Sequence, residues 1–134
     1  GSAAATGFLS EDYDEVRHYD GTIRVDEYLR VVDHPGVWAI GDITDVRESK
    51  RADAARQQAR VVIANITAQI EGEELDAHYV PTKEWVILPL GPNMGASQLL
   101  DSDGQTRILG ADQTAEIKGT DLMVSVIRSQ LNLP

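Results

Sequence analysis

The chain has 134 residues, with 12 Lys and Arg against 22 Asp and Glu and a formal charge of −10. A negative balance this large disfavours nucleic acid and anionic membrane surfaces as partners, because both need clustered Lys and Arg. The absence of cysteine excludes a disulfide framework, a cysteine zinc site and a CxxC redox pair within these residues, and no run of about 18 apolar residues predicts a bilayer span.

The opening Gly1-Ser2-Ala3-Ala4-Ala5 reads as a cloning remnant, so residues 1–6 are assigned to a tag or linker. No basic segment followed by an apolar one marks a signal peptide, which points to a cytoplasmic protein. Thr22–Val25 and Arg30–Val32 are β-branched segments that predict short strands or a hairpin around Asp26-Glu27-Tyr28. His34-Pro35-Gly36 is a turn signal. Val37-Trp38-Ala39-Ile40 follows it, apolar at every position, which suits a strand covered on both faces as in a parallel sheet. Gly41-Asp42 stops this run.

From Arg51 to Glu71, Ala52, Ala55, Ala59, Val62, Ile63, Ile66 and Ile70 recur at three- and four-residue steps, predicting a helix that buries them. Ser49 is the predicted N-cap and Gly72 the C-terminal stop. The helix begins its stripe with alanine, which lets its first turns approach something flat; high helix propensity is the simpler explanation of the alanines.

Beyond a join near Gly72–Pro81 the pattern changes. Trp85–Leu90, Ala96–Leu100 and Gln105–Leu109 are predicted strands, with Pro89 placing the first at an edge. Asp101-Ser102-Asp103-Gly104 is a hairpin turn. Ala111–Lys118 and Asp121–Leu131 are predicted helices, the second capped by Asp121 with Leu122 and Val126 facing inwards. The sum is α+β.

No GxGxxG, Walker loop, GxSxG or HExxH occurs, and His18, His34 and His78 lack metal-ligand spacing. The acidic runs at 11–15 and 71–76 read as solvated loops. One constellation remains: a predicted strand, Gly41-Asp42, a polar loop, then a helix with a small-residue start. In open α/β sheets ligands sit beyond the carboxyl ends of strands. There Gly41 permits close backbone approach, the Asp42 carboxylate accepts hydrogen bonds from sugar-alcohol hydroxyls, and the helix offers its positive end. Alone, Gly-Asp reads more readily as a turn with a capping aspartate; only the whole order of strand, Gly-Asp and helix makes a binding site an equal reading.

Residues 21–31, Gly-Thr-Ile-Arg-Val-Asp-Glu-Tyr-Leu-Arg-Val, followed by Pro35 to Asp42, resemble the second FAD-binding motif of the FAD-dependent pyridine nucleotide-disulfide oxidoreductases. Thr6-Gly7-Phe8-Leu9 is similar to that family's "NTGFL". The helix 52–66 is similar to its flavin-contacting helix. Leu88–Leu99 and Ile117–Leu122 resemble the C-terminal domain of its apoptosis-inducing-factor-like, or ferroptosis-suppressor-like, NAD(P)H:quinone oxidoreductases.

The resemblance implies an α+β chain made of a remnant of an FAD-binding α/β (Rossmann-like) layer over 7–72 and a C-terminal interface domain over 73–134, with about three antiparallel strands and two helices. It implies that Asp42 hydrogen-bonds the FAD ribitol and Gly41 gives backbone access. Ala55 would lie by the pyrimidine edge of the flavin, and Gln57 matches a glutamine that recurs two residues after that alanine. Where quinone-reducing relatives carry a glutamine two residues before the alanine, this chain has Asp53. Electrons would pass from NAD(P)H through FAD to an acceptor, a quinone being one class. Both glycine-rich nucleotide motifs are missing from these residues, so the isolated chain is expected to be inactive, to lose FAD, and to form homo-oligomers through its exposed Val37–Ile40 edge, with exchange of strands or the long helix as a route. The competing reading is a non-catalytic dimerisation module without cofactor.

Overall fold

A computed structural model describes residues 3–81 and 83–133. It is α+β and divides into two compact units, Gly1–Thr82 and Lys83–Pro134.

In the first unit the β-branched segments lie extended but pair only at single positions. Arg17 bridges Ile23, Val25 bridges Val31 and Arg30 bridges Trp38, all antiparallel, while Ile23 bridges Thr44 in parallel. Val16, Ile23, Val31 and Ala39 form the core between them. Side chains hold what a ladder would otherwise hold. Asp26 Oδ1 accepts from the N–H groups of Tyr28 (3.0 Å) and Arg30 (2.9 Å), and Oδ2 accepts from Arg30 Nε (3.0 Å). That clamp keeps Leu29 buried at φ 63°, a conformation that β-carbons resist. Ala4 and Thr6 also join the unit: Ala4 N–H donates to Asp20 O (2.8 Å), and buried Thr6 Oγ1 donates to Gly21 O (2.6 Å).

Val37–Ile40 is not the doubly covered strand that its apolar run predicts. Val31 N–H donates to Val37 O (2.8 Å) and Ala39 N–H to Leu29 O (3.1 Å), so the segment pairs on one side, with residues 29–31 across the turn. Only Ala39 is buried, and Ile40 is 38% exposed. An apolar run of four states a preference for burial and carries no information about which backbone will pair with it. The acidic run at 11–15 likewise departs from a loop: Glu11–Val16 is a 3₁₀ helix with Val16 buried.

Helix α1 spans Ala52–Glu71 and ends at Gly72, which takes the left-handed conformation at φ 75°. Its N-cap is Arg51, not Ser49. Its buried face shares only Val62 with the predicted stripe. Ala54, Gln58, Val62 and Asn65 point inwards, while Ile63, Ile66 and Ile70 are exposed and Ala55 and Ala59 are half-buried. The reason lies in what the helix covers, which is irregular chain with unpaired peptide groups. Asn65, fully buried, gives Nδ2 to Ala77 O (2.8 Å) and Tyr28 O (3.3 Å) and accepts from Ala77 N–H (3.2 Å). An apolar side chain there would leave three peptide groups unsatisfied. The same bonds, with Tyr79 N–H on Glu27 O (2.8 Å), draw residues 73–81 into the first unit, whereas the sequence reading divides the chain after residue 72.

The second unit is more regular. Strands β1 (Val86–Pro89), β2 (Gly95–Leu100) and β3 (Thr106–Leu109) form an antiparallel sheet in the order β1-β2-β3. Pro89 lies on an edge strand, opposite Gly95. The turn into β3 is held by Asp101 Oδ1, which accepts from Asp103 N–H (3.0 Å) and Gln105 N–H (2.8 Å), with Gly104 left-handed at φ 71°. Helix α2 is a single turn, Ala111–Thr114, continued by a π-helical turn over Ala115–Gly119 instead of running to Lys118 as an α-helix. It is pinned to the sheet by the buried pair Ser97 Oγ and Thr114 Oγ1, 2.8 Å apart. Helix α3 covers only Val124–Gln130. Asp121 does receive the N–H groups of Met123 (2.8 Å) and Ser125 (3.1 Å), but Leu122 and Val126 are 59% and 44% exposed, not inward-facing.

Candidate functional site

The site is built where the core of the first unit ends. Ile40 is extended, then Gly41 turns at φ 76° and Gly41–Ile43 makes one 3₁₀ turn. Thr44, fully buried, closes it: its N–H (3.2 Å) and Oγ1 (3.0 Å) both donate to Gly41 O. Lys50 Nζ donates to Thr44 O (2.7 Å) and Val46 O (3.0 Å), fixing the polar loop that leads into α1. A side chain is disfavoured at position 41 by the backbone angle more than by space, since a β-carbon there would meet only Ala55 Cβ, at 3.7 Å.

Gly41, Asp42, Ala54, Ala55 and Gln58 line one narrow crevice with residues 48–51. Three of the four predicted site residues, Gly41, Asp42 and Ala55, therefore come together. Gln57 does not join them; its Nε2 donates to Asp53 Oδ2 (2.8 Å), one helical turn back. The Asp42 side chain is exposed and has no hydrogen-bond or ion-pair partner among the described residues. An aspartate that capped its own helix would be engaged. This one is an acceptor still available to a ligand.

Beneath the turn lies a cluster that sequence reasoning missed. Gly41 N–H donates to Gln58 Oε1 (2.6 Å), Gln58 Nε2 donates to Glu48 Oε1 (2.6 Å), and Tyr79 Oη donates to both Glu48 oxygens (2.9 and 2.8 Å). Burial first, and then the hydrogen bonds to the Glu48 carboxylate, push the Tyr79 phenol up to about 12. The available signal was the polar pair Gln58 and Asn65, seven residues apart and so on one helix face.

The histidines serve local structure. His18 Nε2 lies 3.3 Å from Asp45 Oδ2, His34 Nδ1 lies 2.9 Å from Val32 O with its ring stacked on Tyr13, and His78 sits beside Tyr28. Among the described residues no cluster of His, Asp and Glu could hold a metal ion, and no helix is long and apolar enough to cross a membrane.

No protein-family model matches the chain. Individual proteins do. It is 39% identical to human ferroptosis suppressor protein 1 over 79 residues, 59% of this chain and 21% of that protein. It is 28% identical over 128 residues to the FAD-dependent oxidoreductase FVFD30 of Flammulina velutipes, covering 96% of this chain and 39% of the relative. Identity to apoptosis-inducing factor homolog B of Dictyostelium discoideum is 32% over 124 residues, 91% of this chain and 31% of that protein. The chain thus spans between about a fifth and two fifths of the curated relatives it matches. It is similar in sequence to a part of ferroptosis suppressor protein 1, of an FAD-dependent oxidoreductase and of an apoptosis-inducing factor homolog.

Proposed function

We propose that this chain supplies the ribityl and isoalloxazine side of an FAD site in an oxidoreductase that passes electrons from NAD(P)H to an acceptor, a quinone being one class. The observation that carries the reading is the turn at Gly41-Asp42. A left-handed glycine brings the backbone close, an unpaired carboxylate follows it, and the small-residue start of α1 lies alongside. These residues fit a flavin. Asp42 would accept a hydrogen bond from a ribityl hydroxyl, a charge-assisted bond stronger than a neutral one. The positive end of α1 favours an electron-rich carbonyl, and the small side chain of Ala55 adds little bulk beside it. When bound, FAD supplies the redox chemistry, and these residues orient it and set its surroundings.

On this reading residues 7–72 are a segment of an FAD-binding layer, and Val37–Ile40 stays irregular here because its other neighbours belong to the rest of the protein. The 134 residues contain neither glycine-rich nucleotide motif, so we expect no turnover from them alone. Self-association of the isolated chain belongs to the same reading and is now supported by Ile63, Ile66 and Ile70, exposed along α1. A clean monomer in light scattering at high concentration would count against it.

The test of function uses the full-length protein. It should purify with a flavin spectrum that bleaches anaerobically on adding NADH or NADPH, and Asp42→Ala should purify largely colourless. A full-length protein that takes up no FAD contradicts the assignment and favours an interaction module.

A further inference from the structure

A side-chain amide has two ends of equal shape and opposite hydrogen-bonding sense. Gln58 is 1% exposed, so no solvent is at hand to correct a wrong orientation. Its Oε1 accepts the Gly41 N–H (2.6 Å) and its Nε2 donates to Glu48 (2.6 Å). An ionised carboxylate only accepts, so Glu48 dictates which end of Gln58 faces it and which faces the Gly41 turn. Tyr79 reinforces this. Its hydroxyl donates into the same carboxylate, at 2.8 and 2.9 Å. The direction in which the chain leaves Ile40, and hence where the Asp42 carboxylate stands, is set from below by three side chains from the loop, α1 and the segment after α1.

From this geometry we infer that Tyr79, Glu48 and Gln58 are positioning residues for flavin binding, acting on the ribityl contact through Gly41-Asp42. The inference rests on the flavin reading above. It adds that FAD affinity is sensitive to a tyrosine 37 positions beyond the contacting aspartate.

The test is a double-mutant cycle on the full-length apoprotein, titrated with FAD by flavin fluorescence. Gln58→Leu should weaken binding about tenfold, the scale of one lost hydrogen bond to a buried group, and Tyr79→Phe about threefold, roughly half of that bond. Combined with Asp42→Asn, each should add less than about twofold, because both changes disturb one contact. Losses that multiply independently would mark a general packing role and overturn the inference. So would unchanged FAD affinity in both variants while Asp42→Asn alone weakens it, a result that leaves the flavin reading standing. Failure of the wild type to take up FAD overturns both. If Gln58→Leu does not fold, Tyr79→Phe carries the same cycle, since it removes one hydroxyl from a half-buried ring.

Discussion

The two units are stabilised in different ways. In Lys83–Pro134 the backbone does the pairing: β1, β2 and β3 form continuous antiparallel ladders, and their side chains need only decorate them. In Gly1–Thr82 the extended segments meet at isolated bridges, and Asp26, Gln58, Asn65 and Thr6 satisfy peptide groups that no strand reaches. A region stitched by polar side chains tolerates turns at unusual angles, which is what a ligand-facing loop requires. It is also more exposed to single substitutions.

The largest expected effect follows from that contrast. Asn65→Ala strands the N–H and C=O of Ala77 and the C=O of Tyr28, and should destabilise the first unit by about 3 kcal/mol. Hydrogen exchange should show the loss in that unit. A change below about 1 kcal/mol would mean water substitutes freely for the amide. In the second unit the sensitive point is steric. A β-carbon on Gly95 would lie 2.5 Å from both Leu88 O and Thr114 Cγ2, so Gly95→Ala should cost about 2 kcal/mol. Gly72→Ala, with open space around it and only the left-handed angle to oppose it, should cost about 1 kcal/mol. Denaturant midpoints order the two, and a reversed order would contradict the close approach at Gly95.

Smaller effects concern titration. The Tyr79 phenol is raised from 10 to about 12, so its neutral form is the one favoured by folding. That contribution is complete below pH 10 and disappears as pH climbs towards 12. Glu48→Gln should bring the phenol part of the way back, since burial, the leading cause, remains; phenolate absorbance measures it. Asp121 shows the opposite sign. Its bonds with Ser125, side chain first, hold its carboxyl below the ordinary 3.8, so its support of α3 is present above that value and is lost as pH falls through the lowered pKa. Ser125→Ala should raise the Asp121 pKa in an NMR titration, and no movement would remove Ser125 as the cause.

Legibility followed the same division. The hairpin around Asp101–Gly104, the edge position of Pro89 and the stop at Gly72 were readable because each rests on local geometry that one or two residues decide. The inward face of α1 was not. Hydrophobic period assigns Ile63, Ile66 and Ile70 to a core, but the described chain places Gln58 and Asn65 there, because what lies beneath is bare peptide and not a sheet. Val37–Ile40 failed for a related reason, since strand pairing is a property of the partner as much as of the run. Gly41 and Asp42 could be singled out from the glycine–aspartate pair before a helix, and Ala55 only from the family resemblance. Glu48 and Tyr79 could not, because they reach Gln58 from segments separated along the chain and no motif spacing links them.

The most direct measurement is the affinity of the full-length protein for FAD and for an FAD analogue lacking one ribityl hydroxyl, each with and without Asp42→Ala. If the carboxylate grips that chain, the substitution weakens FAD by about tenfold or more and leaves the right deoxy analogue almost unaffected. Equal losses for both ligands, or none for either, would show that Asp42 does not recognise the polyol.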